Sequence, residues 1–272
     1  MFMSMRIAPK LRGWDISTAT YSGKSKASNT QEANPQRFTL SYDGTKLYIV
    51  GTTGDTVYQY SLSTAFDIST AAYASKSFSV NSQEGVPQFG LVFSPDGLKM
   101  YILGGNMTVY QYGLSTAWDV STASYSSKSK LVSDTSASPR GLSFSPDGSK
   151  MYIVSSSAKM VYQYGLATLW DVSTATYSTK SMSYSSQDAI SACAEFSIDG
   201  TNLYVMGANG GTVFQYSVGT PFDVSTANYT GKSLLVTGVS PAPQQVTFSP
   251  DGVSAYVMNG VATFAIYQYS LR

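Results

Sequence analysis

The 272-residue chain contains no histidine. That removes the commonest general base and metal ligand, and no Ser–His or Cys–His nucleophile pair can exist. There is one cysteine, Cys193, so no internal disulfide can form. Charge is scarce: 12% of residues are charged and the net charge is +1, which leaves no bulk field to draw nucleic acid or an acidic surface. No run approaches the roughly 18 apolar residues of a membrane-spanning helix, so no membrane span is expected. Zinc spacing, a phosphate loop and a dinucleotide fingerprint are all missing, and no cofactor is expected. The opening residues, MFMSMRIAPKLRG, lack an unbroken apolar core and a small-residue cleavage site, so they do not read as a signal peptide. Synthesis in a cytoplasm without export by the general route is the expectation.

What remains is apolar mass and repetition. Hydrophobic residues make up 43% of the chain, with 21 tyrosines, and a chain of this length can bury roughly three quarters of its unfolded surface. The phrase WDVSTASYSSKS at 118–129 returns as WDISTATYSGKS at 14–25, FDISTAAYASKS at 66–77, WDVSTATYSTKS at 170–181 and FDVSTANYTGKS at 222–233. Its aspartate falls at Asp15, Asp67, Asp119, Asp171 and Asp223, a constant step of 52 residues. A second word, VYQY or a variant, starts at Val57, Val109, Val161, Val213 and Ile266. A third ends in DG, at Asp43, Asp96, Asp147, Asp199 and Asp251.

Each unit parses into four strands. GLSFS (141–145) alternates, PDG makes a tight turn, KMYIV (150–154) is an apolar run covered on both faces, MVYQYGL (160–166) alternates again, and ATYSTKSMSY (175–184) is a polar fourth strand. No window offers a useful amphipathic helix. Four short strands repeated about every 50 residues predict an all-β, five-bladed β-propeller with four antiparallel strands per blade. The chain ends on a third strand and supplies a fourth strand near residues 19–27, so the amino-terminal strand is expected to close the ring by joining the last blade. Residues 1–13 form a lead segment and 14–272 a single propeller domain of period 52.

The FSPDGxKMYIV unit resembles the blades of YVTN-type and TolB-type propellers. The longer unit with STAWDVSTASYSxKS is similar to repeats of marine bacterial and phage proteins. The resemblance covers 14–272, and it implies an architecture more than an activity, because propellers host many functions.

Residues present in every unit are expected to serve the blade. The aromatics Trp14, Phe66, Trp118, Trp170 and Phe222 should plug the corner between the third and fourth strands; a sugar-binding ring is the other reading. The following aspartates should accept backbone N–H bonds in an Asx-type turn. The lysines Lys24, Lys76, Lys128, Lys180 and Lys232 read as guards of the outer edge. Gln59, Gln111, Gln163, Gln215 and Gln268 should hydrogen-bond between blades. Cys193 reads as a small buried apolar residue.

Function is sought where the units differ. The loops from one blade's fourth strand to the next blade's first, and those joining the second and third strands, fall at one end of the ring. Their polar residues Glu32, Asp55, Glu84, Asn106, Asp134, Lys159, Asp188 and Asn209 are candidates for a binding face. Glu32, Glu84 and Asp188 occupy one equivalent site, where three carboxylates could hold a cation or do acid–base chemistry, or cap a turn. Glu195 stands alone in an innermost strand, where the other units have Thr39, Val92, Ser143 and Thr247; Arg37 is the basic residue that could face it. No catalytic or metal-binding residue is assigned.

Three functions stay open. The first is a non-enzymatic recognition or structural module, in a phage virion as a tail, fibre or capsid-associated component, binding a protein or a surface glycan. Residues 1–10, rich in Met and Phe, could dock on another virion or surface protein. The second is a multivalent lectin with near-equivalent sites between blades; the third is a carboxylate-based glycoside hydrolase. The corresponding location is a virion or the extracellular space after lysis, with the cytoplasm as the alternative.

Overall fold

The computed structural model describes residues 14–83, 88–260 and 263–271. They form five four-stranded antiparallel sheets, the blades of a β-propeller. Blades 1 to 4 run in chain order from residues 35, 88, 139 and 191. Blade 3 shows the pattern: Pro139–Phe144 lines the channel, followed outward by Lys150–Ser155, Met160–Leu166 and Ala175–Ser183. Blade 5 takes Pro243–Phe248, Ser254–Asn259 and Ala265–Ser270 from the end of the chain and its outermost strand, Thr20–Ala27, from the beginning. Lys24 lies opposite Gln268 and Ala27 opposite Ala265, so the ring closes as its repeat phase predicts.

Second strands are covered on both sides, which explains their unbroken apolar sequence: Met151, Tyr152, Ile153 and Val154 are all buried. The core lies between blades, not within them. Tyr101, Leu103 and Val109 of blade 2 pack with Leu142, Met151, Ile153 and Tyr164 of blade 3, and four like clusters complete the circle.

The phrase WDVST is where one blade takes hold of the next. A row of residues crosses every blade from channel to rim, for example Ser143, Tyr152, Gln163 and Lys180 in blade 3. The last three reach into the following blade. Tyr152 Oη donates to the carbonyl of Phe222 (2.7 Å), Gln163 Oε1 accepts from Val224 N (3.0 Å), and Lys180 Nζ pairs with Asp223 (2.5 Å). Tyr48, Gln59 and Lys76 hold Trp118, Val120 and Asp119 in the same way. The set recurs at all five junctions. The glutamines thus bridge blades as expected. The lysines do more than guard an edge: each neutralises an aspartate of the neighbouring blade.

Each of these aspartates also caps one 3-10 turn, and these five turns are the only helical structure among the described residues. Asp171 accepts from Ser173 N and Ser173 Oγ and so starts the turn Val172–Thr174. Burial pushes its carboxyl up, but the bonds from Lys128 and Ser173 outweigh it and hold the group below the usual carboxylate range. Asp171→Ala should cost about 1 kcal/mol for the cap. Lys128→Ala, which removes only a half-exposed ion pair, should cost up to about 1 kcal/mol. Urea unfolding of both variants checks the order: the lysine change costing clearly more than the aspartate change would contradict the capping role.

The aromatic before each aspartate lies on the glycine of its own blade's DG turn. Gly97 has φ +70°, and a Cβ there would come within 2.4 Å of the Trp118 ring. Trp118 itself sits at φ +62°, a conformation a bulky residue adopts only when its surroundings fix it. The ring also stands 5.6 Å from Phe93, which in turn packs 4.4 Å from Tyr48 of the preceding blade. This is the corner plug the sequence suggests, extended into an aromatic stack between blades.

Candidate functional site

The innermost strands share one irregularity. Each carries a bulge at its second residue, Gln36, Phe89, Arg140, Ala192 and Gln244. A bulged residue leaves the ladder unpaired. Arg37 supplies donors to four of these residues' carbonyls: Nε to Phe89 O (3.0 Å), Nη1 to Gln36 O (2.5 Å), and Nη2 to Arg140 O (2.6 Å) and Ala192 O (3.4 Å). One guanidinium therefore ties blades 1 to 4 together across the channel. The equivalent positions in blades 2 and 3 are Gly90 and Gly141. Blade 5 has Gln245, whose amide accepts from Phe38 N and donates to Phe38 O. Blade 4 has the buried Cys193, whose Sγ accepts from Val246 N at 3.3 Å. Burial holds the thiol up at about 11 and draws Arg37 down to about 10, the latter with help from the charge of Arg140.

Two residues further along the strands, the channel-facing layer is Thr39, Val92, Ser143, Glu195 and Thr247. These positions lie opposite Tyr48, Tyr101, Tyr152, Tyr204 and Tyr256, so they form the inner ends of the rows that latch the blades. From this floor a funnel of about 190 Å³ opens toward the DG-turn end of the ring. Its wall carries Phe93, Phe144, Phe196 and Phe248, with Leu40 as the fifth member, and its lip Pro95, Pro146 and Pro250. The funnel lies at the end opposite the variable loops.

Glu195 is the single carboxyl lining this space among the described residues. Its Oε1 accepts from Thr247 Oγ1 at 2.9 Å. Burial raises its pKa to about 7, with the bonds from Thr247 and from Phe248 N drawing it back. No ion pair joins it to Arg37 among the described residues; Arg37 spends its donors on main-chain carbonyls one layer away. Two polar atoms on the wall, Ser143 Oγ and Trp14 Nε1, are buried without a hydrogen-bond partner. Unpartnered buried polar atoms are uncommon.

A carboxyl whose folded pKa lies above its unfolded value near 4.5 keeps its proton longer in the folded state. Its contribution to stability is full below about pH 4.5 and is lost as pH rises toward 7. The melting temperature of Glu195→Gln minus that of the native protein should therefore rise across this window and level off above it. A difference independent of pH would contradict the buried, proton-holding site.

The loop-end candidates fall into separate places. Glu32 is buried and its carboxylate accepts from Asn34 N, Thr53 N and Gly54 N (2.9–3.1 Å), capping the turn between the second and third strands of blade 1. Asp188 does the same in blade 4 through Ile190 N and Gly210 N. In blade 5 the amide oxygen of Asn259 takes this part, accepting from Ala242 N and Ser240 Oγ. Glu84, the equivalent residue of blade 2, lies outside the described residues, as do residues 1–10. Asp55 accepts from Gln88 Nε2, Asp134 from Tyr164 Oη, and Asn106 from Thr108 N. Asn209 is exposed, and Lys159 turns the chain at φ +57°. The structure does not gather the carboxylates of Glu32 and Asp188 into one site, and no group of three potential metal ligands occurs among the described residues. Nor is any described helix long and apolar enough to cross a membrane.

No family model and no curated protein matches the chain. Solved structures similar in fold include a protein of unknown function from Desulfotomaculum acetoxidans (16% identity, TM-score 0.52), spanning 83% of this chain and 62% of that one. Two others are described as candidate 6-phosphogluconolactonases. The Bacteroides fragilis protein is 15% identical with a TM-score of 0.53, covering 83% and 63% of the two chains; the Bacteroides uniformis protein is 17% identical with a TM-score of 0.50, covering 86% and 67%. The chain thus spans about two thirds of the length of these structures. At such identities the likeness shows the propeller fold alone. No matching family model or named relative supports the YVTN-type, TolB-type or marine bacterial and phage resemblance beyond that fold.

Proposed function

We propose that the protein is a non-enzymatic recognition module that takes one sugar ring, the end of a surface glycan, into the channel funnel. The observation that carries this is the funnel's chemistry: an apolar wall, built in part from Phe93, Phe196 and Phe248 although these rings are largely packed between the blades, over a floor with one carboxyl, Glu195. Apolar walls cover the C–H face of a sugar, while a few polar groups fix its hydroxyls. A cavity of about 150 Å³ holds one benzene-sized ring, so a funnel of about 190 Å³ has room for one ring and not for several.

Catalysis is disfavoured on the same ground. A carboxylate-only glycosidase needs two acids about 5–9.5 Å apart, and Glu195 has no second acid beside it among the described funnel residues. Glu32 and Asp188 are committed to main-chain amides. A lactonase acting on a phosphorylated sugar lactone, the activity suggested for two structural neighbours, would need a cation near the phosphate, and the described residues that line the funnel include no lysine or arginine. The setting we propose is a phage virion component that meets its host's surface; the Ser-, Thr- and Tyr-rich, weakly charged repeat supports it.

A glycan array probed with the native protein and with Glu195→Gln tests the binding. The expected result is a set of glycans sharing one terminal sugar, lost in the variant. Cleavage of the bound glycan, or retention of every signal by the variant, would overturn the reading. Mass spectrometry of purified virions tests the setting.

A further inference from the structure

The opposite mouth of the channel, at the variable-loop end, has a different chemistry. A cup of about 210 Å³ is lined there by Gln36, Arg37, Arg140, Ala192, Pro243 and Gln244 together with Ile190, Ser191 and Ala208. Among the described residues that line it there are two guanidinium groups and no carboxylate. Neither arginine has an ionic partner among the described residues, whose six ion pairs all involve lysines. Arg37 forms the floor, 4% exposed and bound to carbonyls. Arg140 stands at the mouth, its Cζ 4.6 Å from the centre of the Phe89 ring. A guanidinium laid on an aromatic face is held in position while its in-plane N–H edge stays free, and that edge matches two oxygens of an oxyanion. Burial draws the Arg37 guanidinium down to about 10, and the like charge of Arg140 adds to this. An anion between them would relieve that repulsion.

We infer that this cup is a binding site for a small oxyanion, a phosphate or carboxylate group, gripped by the edge of Arg140 and supported electrostatically by Arg37. Gln36 and Gln244 bring amide groups to the same cup. The position is independent of the funnel, because the Arg37 layer separates the two mouths, and it does not rest on the sugar-binding reading.

Calorimetric titration of the full chain in low-salt buffer tests the site, with inorganic phosphate in one arm and acetate in the other. The result expected is one anion per chain in at least one arm, the stronger arm naming the source. Arg140→Gln should weaken binding at least about tenfold, and Arg140→Lys should weaken it less, since the charge survives but not the bidentate edge. Arg140 is exposed, and circular dichroism of the variants verifies their fold. Glu195→Gln should leave anion binding unchanged, so a failure of this site is separable from a failure of the funnel. Absence of binding in both arms, or equal affinity in Arg140→Gln, would overturn the inference.

Discussion

A chain starting at residue 29 is expected to lose its cooperative unfolding transition. Residues 14–28 serve three junctions at once. Thr20–Ala27 is the outermost strand of blade 5, paired along its length with Ala265–Ser270. Trp14, Asp15 and Ile16 are what Tyr204, Lys232 and Gln215 of blade 4 hold. Lys24 is what Asp67 of blade 1 holds. Removing the segment opens the ring on both sides of blade 5 and bares the edge of Ala265–Ser270, an invitation to strand pairing between molecules. It also uncovers Tyr204 and Phe248, which stack with the Trp14 ring. The loss compares with the whole stability of a typical domain, roughly 5–15 kcal/mol. A chain starting at residue 14 keeps every tie named here and serves as the control. Thermal unfolding followed by circular dichroism decides the matter: an unchanged melting temperature in the shorter chain contradicts closure by the amino-terminal strand.

The second large effect is expected at Arg37. Replacing it by methionine keeps most of the volume and removes the donors to four main-chain carbonyls that face one another across the channel. Hydrogen bonds to charged groups contribute about 1.5–3 kcal/mol each, and part of the loss is recovered because the guanidinium no longer has to be desolvated. A net cost of about 3 kcal/mol follows, a fall of about 6–12 °C in melting temperature for a chain of this size. Arg37→Lys should fall between the two, since one ammonium cannot span the carbonyls of four blades. Urea unfolding of the three proteins measures the order. A methionine variant as stable as the native protein would mean that water satisfies the carbonyl ring equally well.

The fold was legible because its determinants are repeated. The 52-residue step, the DG turns and the early occurrence of a fourth strand give blade count and closure without coordinates, and the glutamines and capping aspartates behave as their surroundings in sequence imply. The lysines were harder to read. Each partner aspartate is 43 residues away and on the next blade, a distance at which sequence spacing carries no sign of an ion pair. The funnel was missed for another reason. Its walls are built from Phe93, Phe144, Phe196 and Phe248, which are also words of the repeat, so the lining has no signature separate from the fold. A signal did exist. In the row that begins Ser143, Tyr152, Gln163, the tyrosine and glutamine are invariant across the five blades and only the first member changes, to glutamate in one blade alone. Arg37 is marked likewise by having glycine as its counterpart in two blades. For the loop acids the sequence left two readings open, a binding group or a turn cap; Glu32 and Asp188 are buried and spend their carboxylates on the backbone, as caps do.

On the proposed reading, binding belongs to the channel, where the five blades differ, and not to the WDVST phrase, where they agree. The most direct measurement is the stoichiometry of glycan binding by calorimetry, on the native protein and on Glu195→Gln. One site per chain, abolished by the substitution, is the predicted result. Close to five sites per chain, bound equally well by Glu195→Gln, would place recognition between the blades and contradict the account.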